Sequence, residues 1–358
     1  MLFDLLPKTK KKDLFGVDYA FQTLVDAISD DSTRMVIIKG LRRVGKTSLM
    51  NVALNEIPFD GVNIDVRESP YYDQQRFFSY LVEKIRRKVS EPIISQILKK
   101  ISGVGISYKD ISAQLFFSKH ENFQFFFENL NKQLLKNDKK IVLAFDEVQL
   151  LKEIKFDYIL ASIFDNYPQI RLVLTGSEIG LLEKFIGKSN YDSPLYGRAY
   201  LEIELKRMVP EATEKFLEQG FAQINKKISF GEVRDVVEHL DGIIGWITHY
   251  GWLRHEGTLH EEALEKVKRE GQELVKREIK QFLNKRKAKL KYLLLLKFLA
   301  NGNNTWTELK YNFVKEDKKI TDNQLNFYLK ELLDYGFIEK ISEKYYLSDP
   351  ILLLVAKR

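Results

Sequence analysis

One run of eight residues, Gly40-Leu41-Arg42-Arg43-Val44-Gly45-Lys46-Thr47, constrains this chain more than any other feature. It fits the pattern G-x-x-x-x-G-K-[ST], follows the apolar run Met35 to Lys39, and opens a segment, Thr47 to Asn55, that reads as a helix. The spacing has a physical reason. Glycines let the main chain wrap phosphate groups, and successive N–H groups at a helix N-terminus neutralise them. The lysine bridges β and γ oxygens, and the Ser or Thr hydroxyl ligates a divalent cation. In this chain those groups are Gly40, Gly45, Lys46 and Thr47, with Arg42, Arg43 and Val44 inside the loop and Ser48 next in the helix. An average composition yields such a match by chance about once in a hundred chains of this length.

Four more apolar, β-branched runs share the character of residues 35–40: VNIDV at 62–66, IVLAF at 141–145, IRLVLTG at 170–176 and YLEIEL at 200–205. Each is separated from the next by a helical stretch, which reads as a buried parallel sheet. Among those stretches are Tyr72 to Val89 and residues 122–135, where Phe123, Phe126, Phe127 and Leu130 form a packing face. From Pro210 the chain reads as helices, punctuated by DGIIGW at 241–246. The tail reads as helices Tyr292 to Ala300, Thr305 to Phe313 and Thr321 to Tyr335 and a hairpin over Phe337 to Leu347, the order of a winged helix, with Trp306 and Leu309 as core. The expected fold class is therefore α/β: a P-loop NTPase parallel sheet, a helical lid and a C-terminal winged helix. At ~100 to 200 residues per domain the length fits such a division, drawn at 1–208, 209–284 and 285–358.

A nucleotide site needs acids at a neighbouring strand end, and IVLAF is followed at once by Asp146 and Glu147. Asp146 can hold a Mg²⁺-bound water, and Glu147 can polarise the water that attacks the γ-phosphate, so hydrolysis is favoured over binding alone. The run at 170–176 ends in Thr175, Gly176 and Ser177, whose polar side chains can reach the γ-phosphate or be ordinary strand-end polarity. Arg198, in Ser193-Pro194-Leu195-Tyr196-Gly197-Arg198, is either an arginine that stabilises the transferred phosphoryl group, in cis or across a subunit interface of an oligomer, or a surface ion pair.

Taken together, GLRRVGKTSL at 40–49, LAFDEVQ at 143–149, LTGSEIGLLE at 174–183 and SPLYGR at 193–198 resemble the archaeal ATPase family of the AAA+/STAND group. The resemblance implies a five-stranded sheet in the order 5-1-4-3-2, ATP or ADP with Mg²⁺, and phosphate binding by Gly45, Lys46, Thr47 and Ser48. It also implies metal and water roles for Asp146 and Glu147, a first-sensor role for Thr175 or Ser177, and adenine against the entry segment Asp13-Leu14-Phe15-Gly16. Two departures stand out. The entry segment continues Val17-Asp18-Tyr19 where the family has an Arg and acids, and Ile244 stands where its lid motif Gly-x-Pro-Gly has proline.

Net charge is +7, yet residues 276–297 hold nine basic side chains and one acid, and without them 48 bases face 49 acids. If residues 261–291 form one helix, Lys276, Lys280, Lys287 and Lys291 share an arc of about 60°. That is a track for nucleic acid or an acidic protein, or a solvated linker. The tail helix at 321–335 carries only Lys330 against Asp322, Glu331 and Asp334, a poor groove reader. There is no cysteine, so thiolate chemistry is excluded. No apolar run is long enough to span a membrane, and a cytoplasmic setting is expected. Three functions compete: an ATPase switch, an ATP-regulated nucleic-acid-binding initiator, and a nucleotide-dependent scaffold with little hydrolysis.

Overall fold

All five apolar runs become strands: β1 (Met35–Gly40), β2 (Asp60–Asp65), β3 (Ile141–Asp146), β4 (Ile170–Gly176) and β5 (Leu201–Leu205). The computed structural model describes residues 1–89, 94, 97, 121–188, 190–316 and 318–357. The strands pair in parallel in the order β2-β3-β4-β1-β5, the order that the resemblance implied. Alternate side chains enter opposite cores, as the period of two requires. Met35, Ile37, Leu143, Phe145, Leu172 and Leu174 pack on one face, against α3 (Gln74–Arg86), α4 (Glu121–Lys136), α5 (Phe156–Asn166) and α6 (Ile179–Phe185). Val36, Ile38, Val142, Ala144, Val173 and Ile203 pack on the other, against α1 (Asp18–Ser29) and α2 (Lys46–Glu56). Covered on both faces, β3 and β4 are buried along their whole length.

After β5 the chain is helical through α7 (Pro210–Gln223), α8 (Phe230–Leu240), α9 (Ile244–His255) and α10 (His260–Asn284). It continues through α11 (Lys289–Ala300), α12 (Trp306–Lys315) and α13 (Asp322–Asp334) into the antiparallel hairpin β6 (Ile338–Ile341) and β7 (Lys344–Leu347). Three helices and a hairpin follow the order read from the sequence. Leu309 is fully buried, whereas Trp306 is half-buried and donates to Asn326 at 2.7 Å. A last helix, α14 (Pro350–Ala356), was not read from the sequence; Asp349 caps it by accepting from the Ile351 N–H at 2.7 Å. One continuous core joins α7 to α14 and also takes in Leu2 and Phe3 from the N-terminus.

One expectation fails here. Residues 261–291 are not a single helix: α10 ends at Asn284, and Lys287 and Lys291 leave its face. The cause is Arg286, which folds back to donate to the Phe282 carbonyl at the helix end and pairs with Glu331 at 2.9 Å. Its guanidinium lies 3.6 Å from the Phe282 ring centroid and 4.5 Å from that of Tyr335. The basic run is dispersed further, because Lys285 pairs with Glu153, Lys276 with Glu273, and Lys291 donates to the Lys319 carbonyl.

Candidate active site

In a parallel sheet with reversed strand order, ligands bind beyond the carboxyl ends of the strands, and there β1, β3 and β4 deliver Gly40, Asp146 and Gly176. Gly40 runs so close to β5 that a Cβ would overlap the Leu205 carbonyl oxygen. The chain then curls through Arg43 at φ 65° and Gly45 at φ 96°, both left-handed, and enters α2 at Lys46. The Lys46 ammonium is 5% exposed and donates to the loop's own carbonyls, Gly40 at 2.9 Å and Leu41 at 2.6 Å. Burial pushes its pKa down to about 8 despite the nearby Glu147 and Asp146 carboxylates.

Asp146 is almost fully buried and takes Thr47 Oγ1 at 2.7 Å on one oxygen and the Thr175 hydroxyl on the other. The structure thus places Thr175 behind Asp146 as its holder rather than on the open cleft, where Ser177 stands. Glu147 adopts φ 58°, a strained conformation for a side chain with a Cβ. Its Oε2 accepts from the Ser177 N–H at 3.1 Å, the Ser177 hydroxyl at 2.9 Å and Gln149 Nε2 at 2.7 Å. Burial works to raise the Glu147 pKa, but Lys46, Gln149 and Ser177 outweigh it and the carboxyl stays below its usual range. Oxygen donors alone, from Thr47 and Asp146, suit a hard cation whose shell is completed by phosphate and water. Among the described residues no group of three or more His, Cys, Asp or Glu could cage a metal by itself.

The cleft in front of these groups has a volume of about 1260 Å³. Leu14 and Phe15 of the entry segment line it, with the Phe15 ring edge-on to Phe216 at 5.2 Å, while Gly16 at φ 68° turns the chain toward α1. Residues 4–8 also border it, and the Lys8 N–H donates to Ser48 Oγ at 3.0 Å, so Ser48 holds this segment. From the lid, Ile244 and Gly245 sit directly on the loop: the Gly245 N–H donates to the Arg43 carbonyl at 3.0 Å. The segment seats without the family's proline.

Both loop arginines border the cleft and are engaged by partners outside the loop. Arg42 pairs with Glu178 at 2.8 Å and donates to the Tyr335 carbonyl at 2.8 Å, and Arg43 pairs with Glu278 at 2.5 Å and lies 4.3 Å from the Trp246 ring centroid. Asp349 lies 3.6 Å from Arg43 as well. Burial raises the Glu178 pKa against the pull of Arg42. The loop is thereby tied to α10, α13 and the start of α14. Val44 is buried in the sheet core.

Arg198 is not brought to the loop. Its guanidinium pairs with Asp165 at 2.9 and 2.5 Å and donates to the Pro194 carbonyl. It precedes β5, so it lies at the amino-terminal edge of the parallel sheet, opposite the phosphate loop, and a role within its own site is corrected to a surface ion pair. An unanticipated arginine, Arg67, lies in the cleft instead, its Nη2 3.3 Å from Asp146 Oδ2 and held by Asp65. Gln149, Glu178, Tyr335 and Phe337 were also missed. The signal for Arg67 was its place two residues past the end of a strand that delivers into the same edge.

Residues 18–249 match the sequence signature of an ATPase domain found predominantly in Archaea. No curated protein sequence matches the chain significantly. Among solved structures, a Walker-type ATPase of Pyrococcus abyssi is similar over 100% of both chains, at 26% identity and a TM-score of 0.82. The ORC2 protein of Aeropyrum pernix, solved in ADPNP–ADP complexes, is 13% identical over 99% of this chain and 96% of its own, with a TM-score of 0.62, a likeness of fold.

Proposed function

The chain belongs to the family of ATPase domains found predominantly in Archaea, and we propose that this nucleotide-binding ATPase is a Mg²⁺-dependent switch whose phosphate loop moves the C-terminal helices. One observation carries the reading: Arg42 and Arg43, inside the loop that holds phosphate, spend their charge on Glu178, Glu278 and Asp349, and Arg42 also donates to the Tyr335 carbonyl. A phosphate that reshapes the loop therefore pulls directly on α10, α13 and α14. The continuous core from α7 to α14 supports lid and tail moving as one body about the link between β5 and Pro210.

In the reaction, loop N–H groups and Lys46 take the β and γ oxygens, which turns the Lys46 ammonium from the Gly40 and Leu41 carbonyls toward the ligand. Thr47 and Asp146 would hold Mg²⁺, which would supply charge neutralisation for the phosphates. Water attacks the γ-phosphorus and yields its proton to Glu147. The bond from γ-phosphorus to the bridging oxygen breaks, and its electron pair stays on ADP. Ser177 and Gln149 hold the Glu147 carboxylate ionised, the state a base requires. Thr175 fixes Asp146.

The competing initiator reading draws little support: the lysine track is broken, and α13 exposes few bases. The test uses Glu147→Gln, which is expected to retain ATP and lose turnover by a hundredfold or more. Because the chain lacks cysteine, Glu56→Cys and Tyr311→Cys give a single labelled pair across sheet and tail. Their separation in the trapped ATP state should differ from that with ADP. Equal distances would refute the switch, and a wild type as inert as the variant would favour the scaffold.

A further inference from the structure

We propose that Arg67 is the terminal-phosphate arginine of this site, parked on Asp146 until a divalent cation takes that carboxylate. The inference rests on the ATPase reading above. It starts from the cations around the cleft. Arg42 and Arg43 are committed to Glu178, Glu278 and Asp349, Lys184 to Asp334, Lys285 to Glu153, Arg286 to Glu331, and Lys152 to Asp157. Lys8 donates to the Met1 and Asp4 carbonyls. From residues 209–284 the cleft receives apolar and polar side chains and one acid, Glu278, and no cation among the described residues. Among the described residues, Arg67 is the cation paired with the metal-binding acid.

Its geometry is prearranged. Nε and Nη2 donate to the two oxygens of Asp65 at 2.9 and 2.7 Å, and the Arg67 N–H closes on Asp65 Oδ1 at 2.9 Å. Such a side-on fork leaves Nη1 with no hydrogen-bond acceptor among the described residues. Nη2 also reaches Asp146 Oδ2 at 3.3 Å, the same oxygen that accepts from Thr47 at 2.7 Å. Arg67 thus stands where the charge of a cation shared by Thr47 and Asp146 is wanted. That oxygen cannot serve both the guanidinium and the hydration shell of a divalent ion, and the doubly charged ion wins the contest. Asp65 keeps hold of Nε and one N–H of Nη2, and the outer edge of the guanidinium, Nη1 with the Nη2 N–H released by Asp146, is then free to meet the anionic oxygens that bring the cation in. A guanidinium fork matches phosphate in shape as well as charge.

An arginine on the terminal phosphate distinguishes triphosphate from diphosphate, and a purely structural one does not. Calorimetric titration of the full chain with Mg·AMP-PNP and with Mg·ADP is the test, on wild type, Arg67→Ala and Arg67→Lys. Arg67 is half exposed, so the variants are expected to fold, which circular dichroism checks. Arg67→Ala should weaken AMP-PNP by tenfold or more and ADP by less than twofold, with Arg67→Lys between, in keeping with one charge-assisted contact. Equal weakening of both ligands, or of neither, overturns the proposal while leaving the ATPase reading intact. A wild type that binds neither nucleotide overturns both.

Discussion

Replacing Lys46 by methionine tests the electrostatics of the loop without ligand. Lys46 is 5% exposed, and burial holds its pKa at about 8, against an ordinary 10.5. Near pH 7 the side chain is protonated in both folded and unfolded chains. Between pH 8 and 10.5 the unfolded chain keeps a proton that the folded chain has released, so folded stability rises with pH across that window. Integrated from pH 7 to 9.5, a shift of this size gives a gain of about 2 kcal/mol, an order-of-magnitude figure. Other lysines and tyrosines titrate in the same range, so the observable is the difference between wild type and Lys46→Met. Urea denaturation at closely spaced pH values measures it: the difference should climb by about 2 kcal/mol in favour of wild type. Nucleotide binding runs the other way. Phosphate needs the charged ammonium, so ATP affinity should fall roughly tenfold per unit above pH 8. A difference that stays flat from pH 7 to 9.5 would mean that Lys46 is not held in a depressed state, and the reasoning would fail.

Two further outcomes follow from particular contacts. Gly220 and Gly251 face the Phe3 ring so closely that a Cβ on either would overlap it; Gly251→Ala should cost about 1 to 3 kcal/mol in thermal denaturation, and adding Phe3→Ala should cost little more. Reversing Lys276 and Lys280 to Glu, beside wild type titrated with duplex DNA at ~50 and ~200 mM salt, should leave binding weak and unaltered; salt-dependent binding abolished by the reversal would restore the nucleic-acid reading.

Much of the architecture was legible because each strand is a run of β-branched residues ending at a polar tip, and the phosphate loop carries its backbone demands in its glycines. β1 and β4 fell where the sequence put them, residue for residue. Where legibility ended, long-range partners decided. Nothing local in Lys-Arg-Lys-Ala at 285–288 announces a helix end; the stop comes from Glu331 and the Tyr335 ring, more than 40 residues on. For Arg198 the sequence left two readings open, a phosphoryl-stabilising arginine and a surface ion pair, and its place before β5 puts it at the far edge of the parallel sheet, paired with Asp165. Arg67 was passed over because a lone Arg after VNIDV has no local pattern, and only the closure of β2 on β3 brings it to Asp146. Arg42 and Arg43 were read as loop residues, and their partners became visible only with α10 and the tail in place.

Phe3 also bears on the order in which the molecule can be completed. Its ring is lodged between two helices whose glycines lie at positions 220 and 251, and the Leu2 N–H donates to the Gln223 side chain at 2.8 Å. On a ribosome, the sheet can be finished once β5 has emerged, but the first residues then have no berth. They wait for α9 to be made, some 250 residues after their own synthesis, before residues 4–8 can be drawn across the cleft. Such distant closures are the slow steps of folding, so the rim of the nucleotide cleft is assembled late, after the phosphate loop beneath it.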